Sequence, residues 1–264
     1  MKLSPITAKQ QDILKLLYKY RFLNRIQIQA LMGHKDKRRS SRWLKDLRGK
    51  NYIEWIYSTD FTEKSKPAIY YLEIDGIRYL RTTDEYPPEE LRKRYRESSR
   101  KPDFIARSTF IADCCLNLEA KTVGRTHYSF VTASDYMNPD SDHAFLAELQ
   151  PQLCFIKETP KNKTVYLVEI FDSTTPRYMV KKRLNDYIEY LADGSWESET
   201  GDAKPPVILI ACPTIAELAY AKRRTRKLLA DIWDDETPED IQLRFATIAK
   251  VRSEGVTGII WEEV

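Results

Sequence analysis

Several features that would assign the chain to a common functional class are missing from its 264 residues. There is no run of about 18 apolar residues, so the sequence predicts no membrane-spanning helix and no membrane partner. The N-terminus lacks an apolar signal core, which argues against secretion and for a cytoplasmic location. The eight glycines are scattered and form no phosphate-binding loop of the Walker type, so an ATP-driven activity is not expected.

Cysteine and histidine are also scarce. The four cysteines, Cys114, Cys115, Cys154 and Cys212, lie in apolar segments and form no CxxC pair. Buried thiols in a reducing compartment are the natural interpretation. None of the three histidines stands at ligand spacing to a cysteine, so no zinc site is predicted.

Charge is unevenly distributed along the chain. Residues 1–101 hold 24 lysines and arginines against 13 acidic residues, a net charge of +11. The remaining residues hold 19 basic against 26 acidic residues, a net charge of −7. Such an asymmetry indicates that the first part of the chain meets a polyanion and that the second part does not.

The basic part of the chain shows a pattern of three helices followed by two strands. Helical periodicity begins after Thr7, after Asn24 and at Lys37. Two β-prone runs follow, NYIEWIYST and PAIYYLEI, and then a short helix for which Asp75 is the expected cap. This is the order of a winged helix-turn-helix domain, in which the third helix enters the DNA major groove and the hairpin touches the backbone. We place this domain at residues 1–84.

The third helix carries most of the candidate DNA-binding residues. Its apolar positions fall on one face and its cations on another. Arginine pairs bidentately with guanine edges, whereas lysine and serine suit phosphate oxygens. The candidate set, including two lysines of the hairpin loop that would meet flanking phosphates, is Lys37, Arg38, Arg39, Ser41, Arg42, Lys45, Lys64 and Lys66. The alternatives are a basic face that is merely solvated and a winged helix used for protein contacts.

A basic connector at residues 85–102 follows the first domain, and Pro87 and Pro88 mark this boundary. Its segment LRKRYRESSRK is either a helix that continues along the DNA or a charged linker. The first alternative implies additional phosphate contacts and therefore a steeper salt dependence of binding.

Residues 103–264 show an alternation of helices and strands. The expected order is a helix from Phe104, strands in HYSFVTA, AELQPQLCFI and TVYLVEIF, an amphipathic helix in TPRYMVKKRLNDYIEYLA, a polar loop SWESETGDAKPP, a buried strand PPVILIACP, a long helix TIAELAYAKRRTRKLLADI and a closing strand IQLRFATIAK. The chain is therefore expected to be α+β or α/β, with a mixed sheet in its second domain. The order helix, three strands, helix, strand resembles the core of the PD-(D/E)xK nuclease superfamily.

That resemblance directs attention to two strands. In the superfamily a Pro-Asp begins one strand, a Glu or Asp lies on the next, and a Lys follows two residues later. The two acids bind a divalent metal, and the lysine helps to position the attacking water. The matching positions here are Pro151-Gln152 and Glu169-Ile170-Phe171, so the first acid has become an amide and the lysine an aromatic residue.

This altered motif predicts an inactive scaffold kept for shape or protein contact. One carboxylate and a neutral amide hold a divalent cation poorly, because such a cation prefers several anionic oxygens. If the domain were active, Glu169 would need Asp172 and either Lys181 or Lys182 to supply the missing groups. Mg²⁺ or Mn²⁺ would then be the cofactor; otherwise neither a metal nor another cofactor is predicted.

The whole arrangement also resembles the replication-relaxation (MobC-like) proteins of plasmids and conjugative elements. The resemblance lies in AKQQDILKLLYKYRFLNRIQIQALMGH, in RRSSRWLKDLRGKNYIEW with PAIYYLEIDG, and in QPQLCFI with YLVEIFDSTTPRYMVKKRLNDYIEYL. The family usually shows Glu closely followed by Asp at the third strand, and the spacing here differs by one position. The resemblance implies a winged helix joined to a nuclease-like domain, in a plasmid-borne accessory factor for replication, mobilisation or their control.

The sequence therefore favours a sequence-preferring protein that binds double-stranded DNA. A homodimer would let two recognition helices span successive half-sites. Two alternatives stay open: a metal-dependent nuclease or nickase centred on Glu169, and an interaction module that recruits a relaxase or a replication initiator.

Overall fold

A computed structural model describes residues 3–57, 66–232 and 241–264 of the chain. The chain divides into two compact units, one formed by Met1–Leu116 with Met137–Ser141 and the other by Asn117–Tyr136 with Asp142–Val264. The sequence placed divisions after residues 84 and 102. In the structure, residues 85–102 belong to the first compact unit.

The first unit begins with helices and a small antiparallel sheet. Its elements are α1 (Ala8–Tyr20), β1 (Leu23–Asn24), α2 (Arg25–Leu31), α3 (Lys37–Gly49), β2 (Ile53–Ile56), β3 (Ile69–Leu72) and α4 (Ile74–Arg81). The strand order is β1-β3-β2, and Trp55 of β2 lies opposite Tyr70 of β3. Three helices followed by a hairpin is the winged helix-turn-helix order that the sequence predicted.

Local capping explains where the first two helices start. The backbone N–H and the hydroxyl of Thr7 both donate to Oε1 of Gln10, at 2.9 and 3.0 Å. The side chain of Asn24 accepts from the backbone N–H groups of Ile26 and Gln27, at 2.9 and 3.0 Å. These bonds satisfy donors that a helix N-terminus leaves without intrahelical partners.

The helix that follows the hairpin differs in its cap from the prediction. Its N-cap is Glu73, whose Oε1 accepts from the N–H of Ile74 at 3.1 Å, so the expectation that Asp75 caps this helix was wrong. Asp75 lies in the first turn instead and pairs with Arg78 at 2.9 Å. Gly76 is required there because a Cβ atom would lie 2.2 Å from the carbonyl oxygen of Tyr52.

The connector packs into the first unit, which neither sequence-based alternative anticipated. It forms α5 (Pro88–Arg94) and a short 3₁₀ turn at Glu97–Ser99. Leu91 and Arg94 are buried, and Arg94 Nη2 donates to the carbonyl oxygen of Tyr18 at 3.2 Å. Burial and the nearby Arg21 lower the pKa of Arg94 to about 10.

The second unit is built on a six-stranded mixed sheet. Its elements are α6 (Pro102–Lys121, which starts in the first unit), β4 (His127–Thr132), α7 (Ala133–Tyr136), α8 (Leu146–Leu149), β5 (Leu153–Thr159), β6 (Asn162–Ile170), α9 (Arg177–Ala192), α10 (Ser195–Thr200), β7 (Val207–Cys212), α11 (Ile215–Ile232), β8 (Leu243–Thr247), α12 (Ile248–Glu254) and β9 (Glu262–Glu263). The strands follow the order β4-β5-β6-β7-β8-β9. β5 is antiparallel to both β4 and β6, whereas β7 is parallel to both β6 and β8. Helix, three strands, helix and parallel strand appear in the expected order, and the predicted fold class is confirmed.

Three local predictions in this unit were wrong. Residues 147–149 belong to α8 rather than to a strand. Gln150 then adopts a left-handed conformation (φ 51°) that ends the helix, and β5 begins only at Leu153. The expected polar loop contains α10, which buries Trp196. The end of the expected closing strand is α12, for which the hydroxyl of Thr247 accepts from the N–H of Lys250 at 3.3 Å.

All four cysteines are buried and free, as the sequence predicted. Within the described part of the chain, no helix combines the length and apolarity needed to cross a bilayer.

Candidate functional site

Helix α3 is fixed by its buried face and by its N-cap. Asp36 accepts from the backbone N–H groups of Arg38 and Arg39 at 2.8 and 3.2 Å. The N–H of Arg39, followed by that of Arg38, lowers the pKa of the Asp36 carboxyl. Leu44 and Leu47 are buried, so the opposite face of the helix is presented to solvent.

The predicted cations of α3 lie on that solvent-facing surface. Their side chains are exposed, and Ser41 beside them is half-buried. Ion pairs are recorded on α3 only toward its end, where Arg48 pairs with Glu54 at 2.5 Å and Lys50, just after the helix, pairs with Asp46 at 2.7 Å. Five cations of this helix have no carboxylate within ion-pair distance among the described residues. We call them the α3 cations: Lys37, Arg38, Arg39, Arg42 and Lys45.

The two hairpin lysines have different outcomes. Lys66 is exposed and lies three residues before β3. Lys64 lies outside the described residues, so its predicted phosphate contact stays a prediction. Sequence reasoning did not select Arg48 and Trp55. The signal that could have found them is the aromatic run EWIY, which follows the basic helix closely in the sequence. The guanidinium of Arg48 lies 4.0 Å from the ring centre of Trp55.

In the second unit, Glu169 is buried at the end of β6 and is fully engaged by protein groups. Arg183 of α9 donates to its Oε2 from Nη2 at 2.6 Å and from Nε at 3.2 Å. The hydroxyl of Tyr187 donates to the same oxygen at 2.9 Å, and Gln152 Nε2 donates to Oε1 at 3.2 Å. We call these four side chains the Glu169 cluster.

The electrostatics of this cluster are those of a buried ion pair. Burial alone would lower the pKa of Arg183, but attraction by Glu169 and Tyr187 outweighs it and raises that pKa. Burial, reinforced by Glu169, raises the pKa of Tyr187 well above its usual value, so its hydroxyl stays a hydrogen-bond donor. Arg183 Nη2 also donates to the carbonyl oxygen of Gln150 at 3.3 Å, which links α9 to the turn before β5.

The other motif positions are occupied by structural contacts as well. Gln152 bonds to the backbone of Ile170, donating to its carbonyl and accepting from its N–H at 3.2 and 3.1 Å. Phe171, at the lysine position of the superfamily, is buried, and its N–H donates to the carbonyl of Ala211 at 2.9 Å.

The remaining catalytic candidates have contacts of their own. Asp172 Oδ1 accepts from both the N–H and the hydroxyl of Thr174 and from the hydroxyl of Thr175, at 2.8 to 3.1 Å. Lys181 is exposed on α9, and Lys182 pairs with Asp186 at 3.2 Å.

This donor set does not fit the divalent metal of the nuclease superfamily. The buried carboxylate already has a guanidinium as its counter-charge, and a hard cation prefers several anionic oxygens. Over the described ranges, no group of three or more His, Cys, Asp or Glu side chains is arranged to hold a metal ion.

Comparisons with curated proteins and with solved structures do not assign the chain to a family. No curated protein matches the chain. A search of solved structures finds similarity to the restriction endonuclease FokI, with a TM-score of 0.33 and 11% identity over 94% of this chain and 43% of that chain. The chain thus spans less than half of that endonuclease, and a similarity this low does not bear on its fold or activity.

A protein-family model gives the assignment. The model described as replication-relaxation matches residues 14–204, which is well over half of the chain and includes both α3 and the Glu169 cluster. The chain belongs to the replication-relaxation family.

Proposed function

We propose that the chain is a sequence-preferring protein that binds double-stranded DNA and acts as an accessory factor of plasmid replication or mobilisation, or of its transcriptional control. Membership of the replication-relaxation family supports the biological setting. The observation that carries the proposal is the α3 cations, which share one exposed helix and have no ion-pair partner among the described residues.

Unpaired cations on an exposed helix suit a polyanion. Cations on helix surfaces commonly pair with an acid three or four residues away, and such pairs balance their charge. No acid occurs between Lys37 and Lys45, and Asp46, the acid of this helix, pairs instead with Lys50 at 2.7 Å. In the winged helix-turn-helix the third helix enters the major groove, where arginine can bond to guanine edges and lysine to phosphates.

The test is the double substitution Arg38→Ala with Arg42→Ala. We expect at least a tenfold loss of affinity for duplex DNA, and a decrease of about two in the slope of log affinity against log salt if both arginines contact phosphates. The matched control is Arg81→Ala with Arg125→Ala, which removes the same charge from exposed positions outside α3 and outside the connector. Equal affinity of the α3 variant and the wild type would refute the proposal.

We further propose that the second unit serves assembly rather than cleavage. Its role would be to form a homodimer or to contact a relaxase or replication initiator, since the Glu169 cluster engages the groups that a nuclease would use. Supercoiled DNA should be retarded but not cut in the presence of Mg²⁺, Mn²⁺ or EDTA. Metal-dependent nicking that disappears in Glu169→Gln would favour the nuclease alternative instead.

A further inference from the structure

A groove runs between one face of α3 and the β2–β3 hairpin. Its volume is about 630 Å³, within the range of pockets that hold small organic ligands. Leu44 forms part of its floor. The remaining lining side chains that matter here are Ser41, Lys45, Arg48, Glu54, Trp55 and Tyr70. We call it the wing-root groove.

Trp55 is the distinctive side chain of this groove. It is 38% exposed, and the ring centres of Tyr57 and Tyr70 lie 5.8 and 6.1 Å from its own. The guanidinium of Arg48 lies 4.0 Å from the centre of its ring, and Arg48 Nε donates to Glu54 Oε1 at 2.5 Å. The same carboxylate oxygen accepts from the backbone N–H of Trp55 at 2.9 Å. An indole with one cation against it and part of its surface open to solvent is a preorganised stacking platform.

The charges at the groove favour an anionic occupant. Glu54, the one carboxylate among the described lining residues, is balanced by its pair with Arg48, which leaves the positive charge of Lys45. Lys45 is one of the α3 cations, so the groove adjoins the helix face that we assign to duplex DNA. An aromatic surface beside an unbalanced cation suits a nucleobase that carries its phosphate, because every base has a face that stacks on an aromatic side chain.

A base paired in the interior of a duplex cannot use this platform, because both of its faces are covered by its neighbours. Away from the duplex ends, only an unpaired or extruded base exposes a face. We propose that the wing-root groove binds an unpaired nucleotide of a DNA strand adjoining the duplex that α3 holds, with the base on Trp55 and the phosphate near Lys45. This inference rests on the proposed function and adds to it a preference for junctions between duplex and single strand.

The experiment compares two DNA ligands that share one duplex. One is fully paired, and the other carries a short unpaired tail with 2-aminopurine as a fluorescent base. Full-length wild type, Trp55→Ala and Trp55→Phe are titrated with both. The matched control is Ile56→Ala, because Ile56 is also 38% exposed but, as the next residue of the strand, points to the opposite face.

Wild type should prefer the tailed DNA and quench its 2-aminopurine. Trp55→Ala should lose about tenfold to a hundredfold in affinity for the tailed DNA, the range reported by alanine substitution at base-stacking positions, with little change on the paired duplex. Trp55→Phe should keep most of the preference, and Ile56→Ala should behave as wild type. Unchanged binding of the paired duplex by Trp55→Ala also shows that the variant is folded.

Other outcomes separate the two proposals. Equal affinity of wild type for both ligands, or an equal loss on both in Trp55→Ala, would overturn the groove assignment and leave duplex binding by α3 intact. If wild type bound the tail through Trp55 but ignored the paired duplex, the assignment of α3 would fail and that of the groove would stand.

Discussion

Replacing Arg183 with alanine should destabilise the second unit far more than removing an ordinary surface cation. The side chains of Arg183 and Glu169 are only 18% and 6% exposed, and the guanidinium makes two of the hydrogen bonds that Glu169 Oε2 accepts. Removing one partner of a buried ion pair leaves a charge with little solvation and typically costs about 3–5 kcal/mol. We expect about 3 kcal/mol, the lower limit, because Tyr187 still donates to the same oxygen.

Urea unfolding of the full chain, followed by far-ultraviolet circular dichroism, measures this loss of stability. Lys182→Ala is the matched control, since that lysine is the exposed neighbour of Arg183 on α9 and its removal should cost less than about 0.5 kcal/mol. The double variant Arg183→Met with Glu169→Leu should be close to wild type, because apolar replacement of both partners is often neutral. A loss below about 1 kcal/mol in Arg183→Ala would refute this reasoning.

Two further predictions concern packing. Gly76→Ala should cost about 1–3 kcal/mol and lower the melting temperature, because the new Cβ would lie 2.2 Å from the carbonyl oxygen of Tyr52; Gly49→Ala, where nothing lies within 4 Å, should not. Burial raises the pKa of Cys154 to about 12, and burial together with nearby Glu217 raises the pKa of Cys212 to about 12. A thiol reagent at pH 8 should therefore label either cysteine only after unfolding. Rapid labelling of the native protein would contradict this prediction.

The parts of the fold that follow from local rules could be predicted from the sequence. α2 begins after Asn24 because an asparagine side chain can bond to two amides of the first turn, and this depends on adjacent residues alone. α3 was predicted with its buried and exposed faces because its apolar and basic residues recur at helical spacing. The cap of α4 was mispredicted because Glu73 and Asp75 both stand near its start, and either carboxylate could have accepted from the first turn.

The Glu169 cluster could not be predicted because its bonds join residues distant in sequence. Arg183 lies 14 residues after Glu169, and the sequence instead suggested Lys181 and Lys182 from the same helix. Successive residues of a helix are about 100° apart, so Lys181 points about 200° away from Arg183. The apolar positions Val180, Leu184 and Tyr187 mark the buried face of α9, and Arg183 stands beside them at helical spacing, but this pattern does not specify that Arg183 pairs with Glu169.

The two sets of charges in this chain are used in opposite ways, and that difference supports the proposed roles of its units. In the second unit, the acid at a nuclease-like position pairs with Arg183, and Gln152 bonds to the backbone of Ile170. These groups therefore hold β5, β6 and α9 together and are not available to a substrate. In the first unit, the α3 cations have no carboxylate within ion-pair distance in the part that the structure describes, and they contribute nothing evident to the packing of their own helix. A cluster of like charges that repel one another on an exposed helix is destabilising in isolation, so its presence is best explained by a polyanionic partner.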